Sequence, residues 1–177
     1  GVWYFTYDNL GNLIEHQDAK GNIIKYGYDN ANRLIWENCV SANCDSIQPE
    51  VKYFYDSPAR REGTQGYMPE QVVANDGFSP VPQNYTKGRL TSVIDRYTKN
   101  YYSYDRQGKQ TTEARSIYAA DFDLGASSSI TSVGAPDIYF VSRVEYDDLG
   151  RVTTQYYPDG NTTVSHEYGE SGELARI

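Results

Sequence analysis

Residues 146–160 read YDDLGRVTTQYYPDG, and this stretch decides the fold. Tyr146 and Asp147 open it, Gly150 follows four residues after the tyrosine, and Val152 follows six residues after it. Aspartate first and glycine fourth are typical of a type I turn, and the aspartate side chain accepts hydrogen bonds from nearby backbone N–H groups. The stretch therefore predicts a β-hairpin in which two strands flank a tight turn.

The same phrase recurs along the chain in six copies. The copies at Tyr7 and Tyr28 are 21 residues apart, and a repeat of this length indicates that one structural unit is repeated along the chain. In the last copy Gly169 replaces the aspartate, and in the third copy the Gly-x-Leu half is displaced to residues 88–90. The residues assigned to the repeat are Tyr7, Asp8, Gly11, Leu13, Tyr28, Asp29, Asn32, Leu34, Tyr55, Asp56, Gly88, Leu90, Tyr104, Asp105, Gly108, Tyr146, Asp147, Gly150, Val152, Tyr168, Gly172 and Leu174.

The turn residue is glycine in every copy except one, where it is Asn32. Glycine adopts positive φ without steric cost, and asparagine tolerates this region better than most other residues. The substitution of glycine by asparagine therefore predicts a left-handed backbone at this position.

Apolar and aromatic side chains alternate with period two on both sides of each turn, as in Ile24, Tyr26 and Tyr28. This period is that of a β-strand. Further turns at residues 18–21 and 158–161 join one hairpin to the next. Because such short connections suit antiparallel pairing, the sequence predicts an all-β array of antiparallel hairpins.

The composition limits the functions that the chain can perform. It contains 18 tyrosines among 177 residues, and the apolar surface of the predicted sheet comes largely from their rings. The formal net charge of −8 argues against nucleic acid as a partner, because that ligand requires a positive surface. No apolar run approaches the roughly 20 residues of a membrane-spanning helix. The absence of an initiating Met, with strand-like sequence directly after Gly1, suggests a segment of a longer polypeptide.

Two stretches interrupt the repeats, at residues 57–86 and 119–137, and both are predicted to be loop inserts. Four of the seven prolines lie in the first insert, and proline is excluded from the interior of a sheet. Cys39 and Cys44 lie in a predicted loop and are either a disulfide or two free thiols. The two cysteines and two histidines do not have zinc-site spacing, so neither a metal nor another cofactor is predicted.

The repeated phrase, clearest at residues 146–160, resembles the YD repeat of the RHS family, and the resemblance covers about residues 2–174. That family includes bacterial polymorphic toxins, the shell subunits of insecticidal toxin complexes, and teneurins. The resemblance implies that residues 1–177 belong to a curved, spiralling sheet, a segment of a hollow β-shell of a larger protein. The implied partners are the rest of that shell and an enclosed C-terminal toxin, and the implied location is secreted or at the cell surface. The chain has no autocleavage segment or toxic tail of the family's kind, which suggests an internal part of the shell.

Three classes of function follow from the sequence. The first is a non-catalytic wall segment that encapsulates or displays a toxin or adhesion module. The second is an extracellular module that binds a glycan or a cell-surface protein through exposed tyrosine rows. The third is an enzyme, which is disfavoured because the chain has no nucleophile elbow, phosphate loop or HExxH motif. Carboxylates repeated in every unit suit the capping of turns better than a single catalytic pair.

Overall fold

The computed structural model describes residues 1–41, 44, 51–57, 83–95, 98–117 and 139–177. Of the two predicted inserts, only residues 57 and 83–86 are among them, and the rest of both inserts lies outside the described residues. The described strands are β1 (Tyr4–Tyr7), β2 (Leu13–Gln17), β3 (Ile23–Tyr28), β4 (Leu34–Cys39), β5 (Val51–Tyr55), β6 (Leu90–Asp95), β7 (Thr98–Tyr104), β8 (Gln110–Ile117), β9 (Tyr139–Tyr146), β10 (Val152–Tyr156), β11 (Thr163–Ser165), β12 (Glu167–Tyr168) and β13 (Leu174–Arg176).

The strands confirm the predicted all-β array of antiparallel hairpins. Strands β1 to β11 form one sheet in which the hydrogen-bonded order follows the sequence order, and β12 pairs with β13 in a separate two-stranded sheet. Sequential order is what a series of tight connections produces, because each strand returns beside the one before it. The chain divides into two compact units, one of residues 1–54 with 93–96 and one of residues 55–92 with 97–177.

Each complete hairpin has the same register at its turn. The repeat tyrosine pairs with the residue six positions later, as Tyr7 does with Leu13 and Tyr146 does with Val152. The register of each hairpin shifts next to this pair, which marks a β-bulge. A β-bulge increases the local twist of a strand and changes the direction of a side chain. Because a bulge lies next to the repeat tyrosine in each of these hairpins, the tyrosines have comparable backbone surroundings.

The first unit is a sheet whose described residues include none in the buried class. A close contact in this unit lies between β3 and β4, where Trp36 is the direct cross-strand partner of Gly27. The indole ring covers the glycine so closely that a methyl group there would overlap it. A glycine inside this strand therefore provides space for a large aromatic ring on the neighbouring strand.

The second unit contains the buried apolar side chains of the described part of the protein. Tyr101, Ala114 and Val141 are 3 %, 2 % and 7 % exposed. They are direct partners across β7, β8 and β9, so they form one row over three strands. Thr91 and Ser92 on β6 are fully buried. This row lies on the face opposite to that of Tyr102 and Tyr104, because side chains alternate along a strand.

The last repeat departs from a continuous strand. The sequence suggests that His166 takes the place of a sheet aromatic, but His166 lies between β11 and β12. At this residue the chain changes partner, because Ser165 pairs with β10 whereas Glu167 pairs with β13. The His166 amide donates to the Thr153 carbonyl at 2.8 Å and so keeps the chain against β10.

Candidate functional site: the junctions between repeats

The aspartate of each turn holds the loop closed through its carboxylate. Asp8 Oδ1 accepts hydrogen bonds from the backbone N–H of Leu10 at 2.9 Å and of Asn12 at 2.8 Å. The main chain closes the same loop, because the Asp8 N–H donates to the Asn12 carbonyl at 2.9 Å. Asp29 and Asp147 accept equivalent pairs of bonds. The repeated carboxylates are therefore engaged with their own turns.

The turn residue at the fourth position has a left-handed backbone in these loops. Gly11, Gly108, Gly150 and Gly172 have φ between 81° and 91°. Asn32 has φ of 64°, in the region that the sequence predicts for it. Any other side chain at these positions would strain the backbone by roughly 1–2 kcal/mol.

The interrupted third copy is reassembled from two distant pieces of the chain. The Asp56 N–H donates to the Arg89 carbonyl at 3.1 Å, the bond that closes an unbroken turn, although 32 residues separate Asp56 from Gly88. The Asp56 carboxylate accepts the Gly88 N–H at 2.7 Å. The Thr86 hydroxyl donates to the Asp56 carbonyl at 2.8 Å. The structure thus brings together the two halves that the sequence assigned to one repeat.

The repeat tyrosines join each hairpin to the one before it. In four junctions the tyrosine hydroxyl donates to the main-chain carbonyl of the sixth residue of the preceding repeat, a contact that period-two reasoning does not reveal. The pairs are Tyr28 to Leu13 at 2.9 Å, Tyr104 to Leu90 at 2.6 Å, Tyr146 to Gln110 at 2.9 Å and Tyr168 to Val152 at 2.8 Å. Each of these tyrosine rings therefore lies over the boundary between the outgoing strand of one repeat and the incoming strand of the next.

A basic side chain completes three of these junctions. The residue directly after the turn glycine, at the fifth position, lies over the tyrosine ring of the next repeat. The distances to the ring centroids are 5.6 Å for Arg89 over Tyr104, 5.1 Å for Lys109 over Tyr146 and 4.3 Å for Arg151 over Tyr168. A cation in this position is attracted by the negative face of the ring. Each of the three basic side chains therefore contacts the ring of the same tyrosine whose hydroxyl donates the hydrogen bond at that junction.

The same basic side chains explain a second requirement for glycine in the turn. A methyl group at Gly108 would lie 2.6 Å from Arg89 Nη2, and one at Gly150 would overlap Lys109 Nζ. Gly108 and Gly150 therefore leave space for the basic side chain of the preceding repeat. Positive φ alone does not account for the choice of glycine at these two positions.

The one asparagine turn has a different partner that fits it. Asn32 lies at the junction between the first and second repeats. The fifth residue of the first repeat is Asn12, not a basic residue. The Asn12 Nδ2 group donates a hydrogen bond to Asn32 Oδ1. At Asn32, Gly108 and Gly150, the fourth residue of one repeat thus lies beside the fifth residue of the repeat before it. Asn32 accepts a hydrogen bond from an asparagine, and the two glycines leave space for a basic side chain.

We expect Tyr104→Phe to lower the free energy of unfolding by about 1 kcal/mol, because it removes a partly buried hydrogen bond to the Leu90 carbonyl. Chemical denaturation measures this change. Tyr146→Phe is the matched control, since it deletes the same bond of another junction at an exposed site. A larger loss for Tyr146→Phe than for Tyr104→Phe would contradict the expectation.

The turn carboxylates also have altered acidity. The pKa of Asp147 lies below its ordinary value of 3.8, chiefly because the carboxylate accepts the backbone N–H of Arg151 and further because of the Arg151 guanidinium. The pKa of Asp8 is lowered in the same direction, first by the Asn12 side-chain amide. Since the folded form binds protons less readily than the unfolded form, both groups stabilise the fold above the ordinary pKa. That stabilisation is lost as the pH falls through the folded value.

We expect the melting temperature of the wild type to fall more steeply below about pH 4 than that of Asp147→Asn, because the variant has no carboxylate to protonate there. Thermal unfolding followed from neutral to acidic pH measures the two slopes. Asp148→Asn, one residue along the same turn, is the control. Parallel acid profiles for the wild type and Asp147→Asn would rule out this linkage.

The two cysteines and two histidines do not converge on one site. Cys39 and Cys44 form a disulfide with a Cα–Cα distance of 5.6 Å. The His16 ring instead stacks with Trp3 and Tyr26 on the sheet of the first unit. Among the residues that the structure describes, no group of three or more His, Cys, Asp or Glu side chains is arranged to hold a metal ion.

Comparison with known proteins identifies the repeat. The family profile described as RHS Repeat matches residues 5–35, which contain the first two copies of the phrase. This part of the chain matches the RHS repeat. The matched residues include most of β1, all of β2 and β3, and the turns that begin at Asp8 and Asp29. None of the curated protein sequences matches the chain significantly.

Solved structures share the fold of this chain. The Photorhabdus luminescens Tc holotoxin pore with a mutation in TccC3 matches with a TM-score of 0.66 and 14 % identity over 97 % of this chain. The TcdB2–TccC3 complex matches with a TM-score of 0.66 and 13 % identity, and the TcdB2–TccC3–Cdc42 complex with 0.65 and 13 %, each over 97 % of this chain. The chain spans only 7–8 % of the length of those chains. At this identity the likeness establishes a common fold.

Proposed function

We propose that residues 1–177 are a non-catalytic wall segment of a larger secreted or cell-surface shell that encapsulates or displays a toxin or adhesion module. The observation that supports this most strongly is the repeated junction, in which one hairpin is fastened to the next by a tyrosine hydroxyl. A contact of this kind extends a sheet and contains no reactive group. The similarity of fold to chains of Tc toxin complexes supports the same role.

The geometry of the charged groups is consistent with a structural role. The turn carboxylates accept hydrogen bonds from their own loops, and the Arg33 and Arg151 guanidinium groups form ion pairs within the same turns at 2.7 Å. Within the described ranges no helix has the length and apolarity to cross a membrane. The proposed partners are the remaining repeats of the shell and an enclosed polypeptide.

Protease protection in the native polypeptide that carries residues 1–177 tests this role. An enclosed module resists protease while the wall is intact, and Ala114→Pro, at the centre of the buried row, opens the wall and exposes it. Leu10→Ser, at a 77 % exposed turn position, is the control that leaves the wall intact. A polypeptide without any protected segment, or equal digestion of both variants, would refute enclosure.

A second candidate function is carbohydrate binding on the aromatic row of the first unit. Trp3 and Phe5 are 54 % and 53 % exposed, their rings are stacked with centroids 6.4 Å apart, and the His16 and Tyr26 rings continue the row. Such a row offers apolar ring faces to a sugar, and the Tyr26 hydroxyl is hydrogen-bonded to His16 Nδ1 at 2.9 Å. A glycan array probed with the wild type and Trp3→Ala tests this function. No binding by either protein eliminates it.

A further inference from the structure

Glu37 on β4 is a half-buried carboxylate that lies between two tyrosines. Its direct partners on the neighbouring strands are Tyr26 on β3 and Val51 on β5. Because side chains alternate along a strand, Tyr53 lies on the same face as Val51. The Tyr53 hydroxyl donates a hydrogen bond to Glu37 Oε1 and so orients the carboxylate. Tyr26, Glu37 and Tyr53 therefore form a row across β3, β4 and β5.

One side of the Tyr26 ring is covered, and the other side is directed towards Glu37. The His16 ring stacks on Tyr26 with the ring centroids 5.8 Å apart, and His16 Nδ1 is hydrogen-bonded to the Tyr26 hydroxyl at 2.9 Å. Since β3 lies between β2 and β4 in the sheet, the opposite side of the ring is directed towards Glu37. Burial raises the pKa of Tyr26 above its ordinary value of 10.0, and the Glu37 carboxylate raises it further. The phenol is therefore neutral at neutral pH, and the negative charge of the row is that of Glu37.

The described side chains leave this charge without a basic partner. In the part of the chain that the structure describes, Glu37 forms no ion pair with a lysine or an arginine. Lys25 and Lys52 are each adjacent in sequence to a residue of the Glu37 face, so they lie on the opposite face, where Lys25 pairs with Glu15 at 3.3 Å. A carboxylate has about four acceptor sites, and the Tyr53 hydroxyl occupies one of them. Glu37 can therefore accept further hydrogen bonds from a ligand.

The second unit shows which group complements a carboxylate beside a tyrosine ring. Arg151 Nε lies 2.7 Å from Asp147 Oδ2, and the Arg151 guanidinium carbon lies 4.3 Å from the centroid of the Tyr168 ring. One guanidinium group thus pairs with a carboxylate and covers a tyrosine ring at the same time. On the Glu37 face the carboxylate and the ring are present, and the guanidinium is the component that the described residues do not supply.

We propose that Glu37, Tyr26 and Tyr53 form a binding site for a guanidinium group. The proposal goes beyond both functions proposed above and depends on neither of them. Glu37 accepts hydrogen bonds from the ligand's N–H groups, the Tyr26 ring stacks on the guanidinium plane, and the Tyr53 hydroxyl positions the carboxylate. The net charge of −8 attracts a cation to the chain.

A guanidinium group suits this site better than other cations do. Its N–H donors form a planar fork that matches the open acceptor sites of a carboxylate, and its plane stacks on an aromatic ring. A quaternary ammonium group has no N–H donor and leaves those acceptor sites unused. A primary ammonium group is a strongly hydrated point charge that does not stack. A metal ion would need more ligands than the single carboxylate that this row contains.

The test titrates the full chain at neutral pH with probes that differ in their cationic group. The probes are two blocked alanine pentapeptides, one with arginine and one with lysine at the centre, and the small cations methylguanidinium and tetramethylammonium. The backbone amide chemical shifts of β3, β4 and β5 report binding. Glu37→Gln removes the charge and keeps the shape of the side chain. Glu15→Gln is the matched control, because Glu15 is a carboxylate on the opposite face of the same unit.

We expect the arginine peptide to bind at least about tenfold more tightly than the lysine peptide, and Glu37→Gln to weaken its binding at least about tenfold, because the charge-assisted hydrogen bonds are lost. Glu15→Gln is expected to leave the affinity unchanged. Tyr26→Leu is expected to weaken binding about fivefold, whereas Tyr26→Phe, which keeps the ring, retains it. The two Tyr26 variants keep the carboxylate, so they test the site even if Glu37→Gln does not fold.

Equal binding of the arginine and lysine peptides, undiminished binding by Glu37→Gln, or the absence of saturable shifts with either guanidinium probe overturns the proposal. Binding of tetramethylammonium as tight as that of methylguanidinium also overturns it, in favour of a site for cations in general. Tighter binding of the arginine peptide than of methylguanidinium supports the proposal with a polypeptide side chain as the ligand. Equal affinities of these two probes support it with a small guanidinium compound as the ligand.

Discussion

Replacing Tyr101 by alanine is expected to lower the free energy of unfolding by about 3–5 kcal/mol, the range measured when a buried aromatic residue is truncated. Tyr101 is 3 % exposed and lies directly against Ala114, which in turn pairs with Val141. The substitution leaves a cavity at one end of the row of buried apolar side chains. Since a domain is typically stable by only about 5–15 kcal/mol, a loss of this size is a large fraction of the total.

Tyr157→Ala is the control for this experiment, because it makes the same chemical change at a residue that is 46 % exposed in a turn of the same unit. An exposed substitution of this kind changes stability by no more than about 0.5 kcal/mol. Denaturant midpoints at a constant slope measure both variants. Equal losses for Tyr101→Ala and Tyr157→Ala would show that the row is not the core.

The hairpins were predictable from the sequence because their determinants are local. Asp8 and Gly11 lie within one loop, and the bonds that the carboxylate accepts span two and four residues. Asn32 was informative for the same reason, because few residues other than glycine tolerate its backbone conformation. Local chemistry of this kind repeats whenever the phrase repeats, so the strand order follows from the sequence order.

The junctions could not be predicted, because their partners are distant and one of them is a main-chain atom. The Tyr104 hydroxyl reaches a carbonyl 14 residues away, and the Tyr146 hydroxyl reaches one 36 residues away. Every residue has a carbonyl group, so the sequence gives no sign of which one is used. A signal did exist for the cation, since four repeats have a basic residue at the same position: Arg33, Arg89, Lys109 and Arg151.

The sequence also did not predict which face of the sheet in the second unit is buried. Tyr101 and Tyr102 are adjacent tyrosines and point to opposite sides of β7, so the residue type does not distinguish the buried ring from the partly exposed one. The period-two pattern of aromatic residues that predicts this strand includes Tyr102 and Tyr104 and does not include Tyr101. The core, by contrast, depends on Ala114 and Val141, whose neighbours in sequence give no comparable pattern.

In the first unit, Gly27→Ala is expected to lower the free energy of unfolding by about 2 kcal/mol, because it overpacks the site where Trp36 lies. An added methyl group would overlap the indole ring at Cε2 and Nε1, so the ring has to leave its position across β3 and β4. Without that ring, alanine should be preferred to glycine in a strand by roughly 0.5–1 kcal/mol. The sign of the effect therefore reports whether the overlap occurs.

The double-mutant cycle with Trp36→Ala makes this prediction decisive. In the Trp36→Ala background, Gly27→Ala is expected to be neutral or stabilising, because the obstructing ring is gone. Tryptophan fluorescence of the single variant should also change, since Trp36 is one of only two tryptophans and the other, Trp3, is exposed. Lys25→Ala, at an exposed position of the same strand, controls for general effects on β3. If Gly27→Ala were equally destabilising with and without the indole ring, the packing of Trp36 on Gly27 would not be what sets the requirement for glycine in this strand.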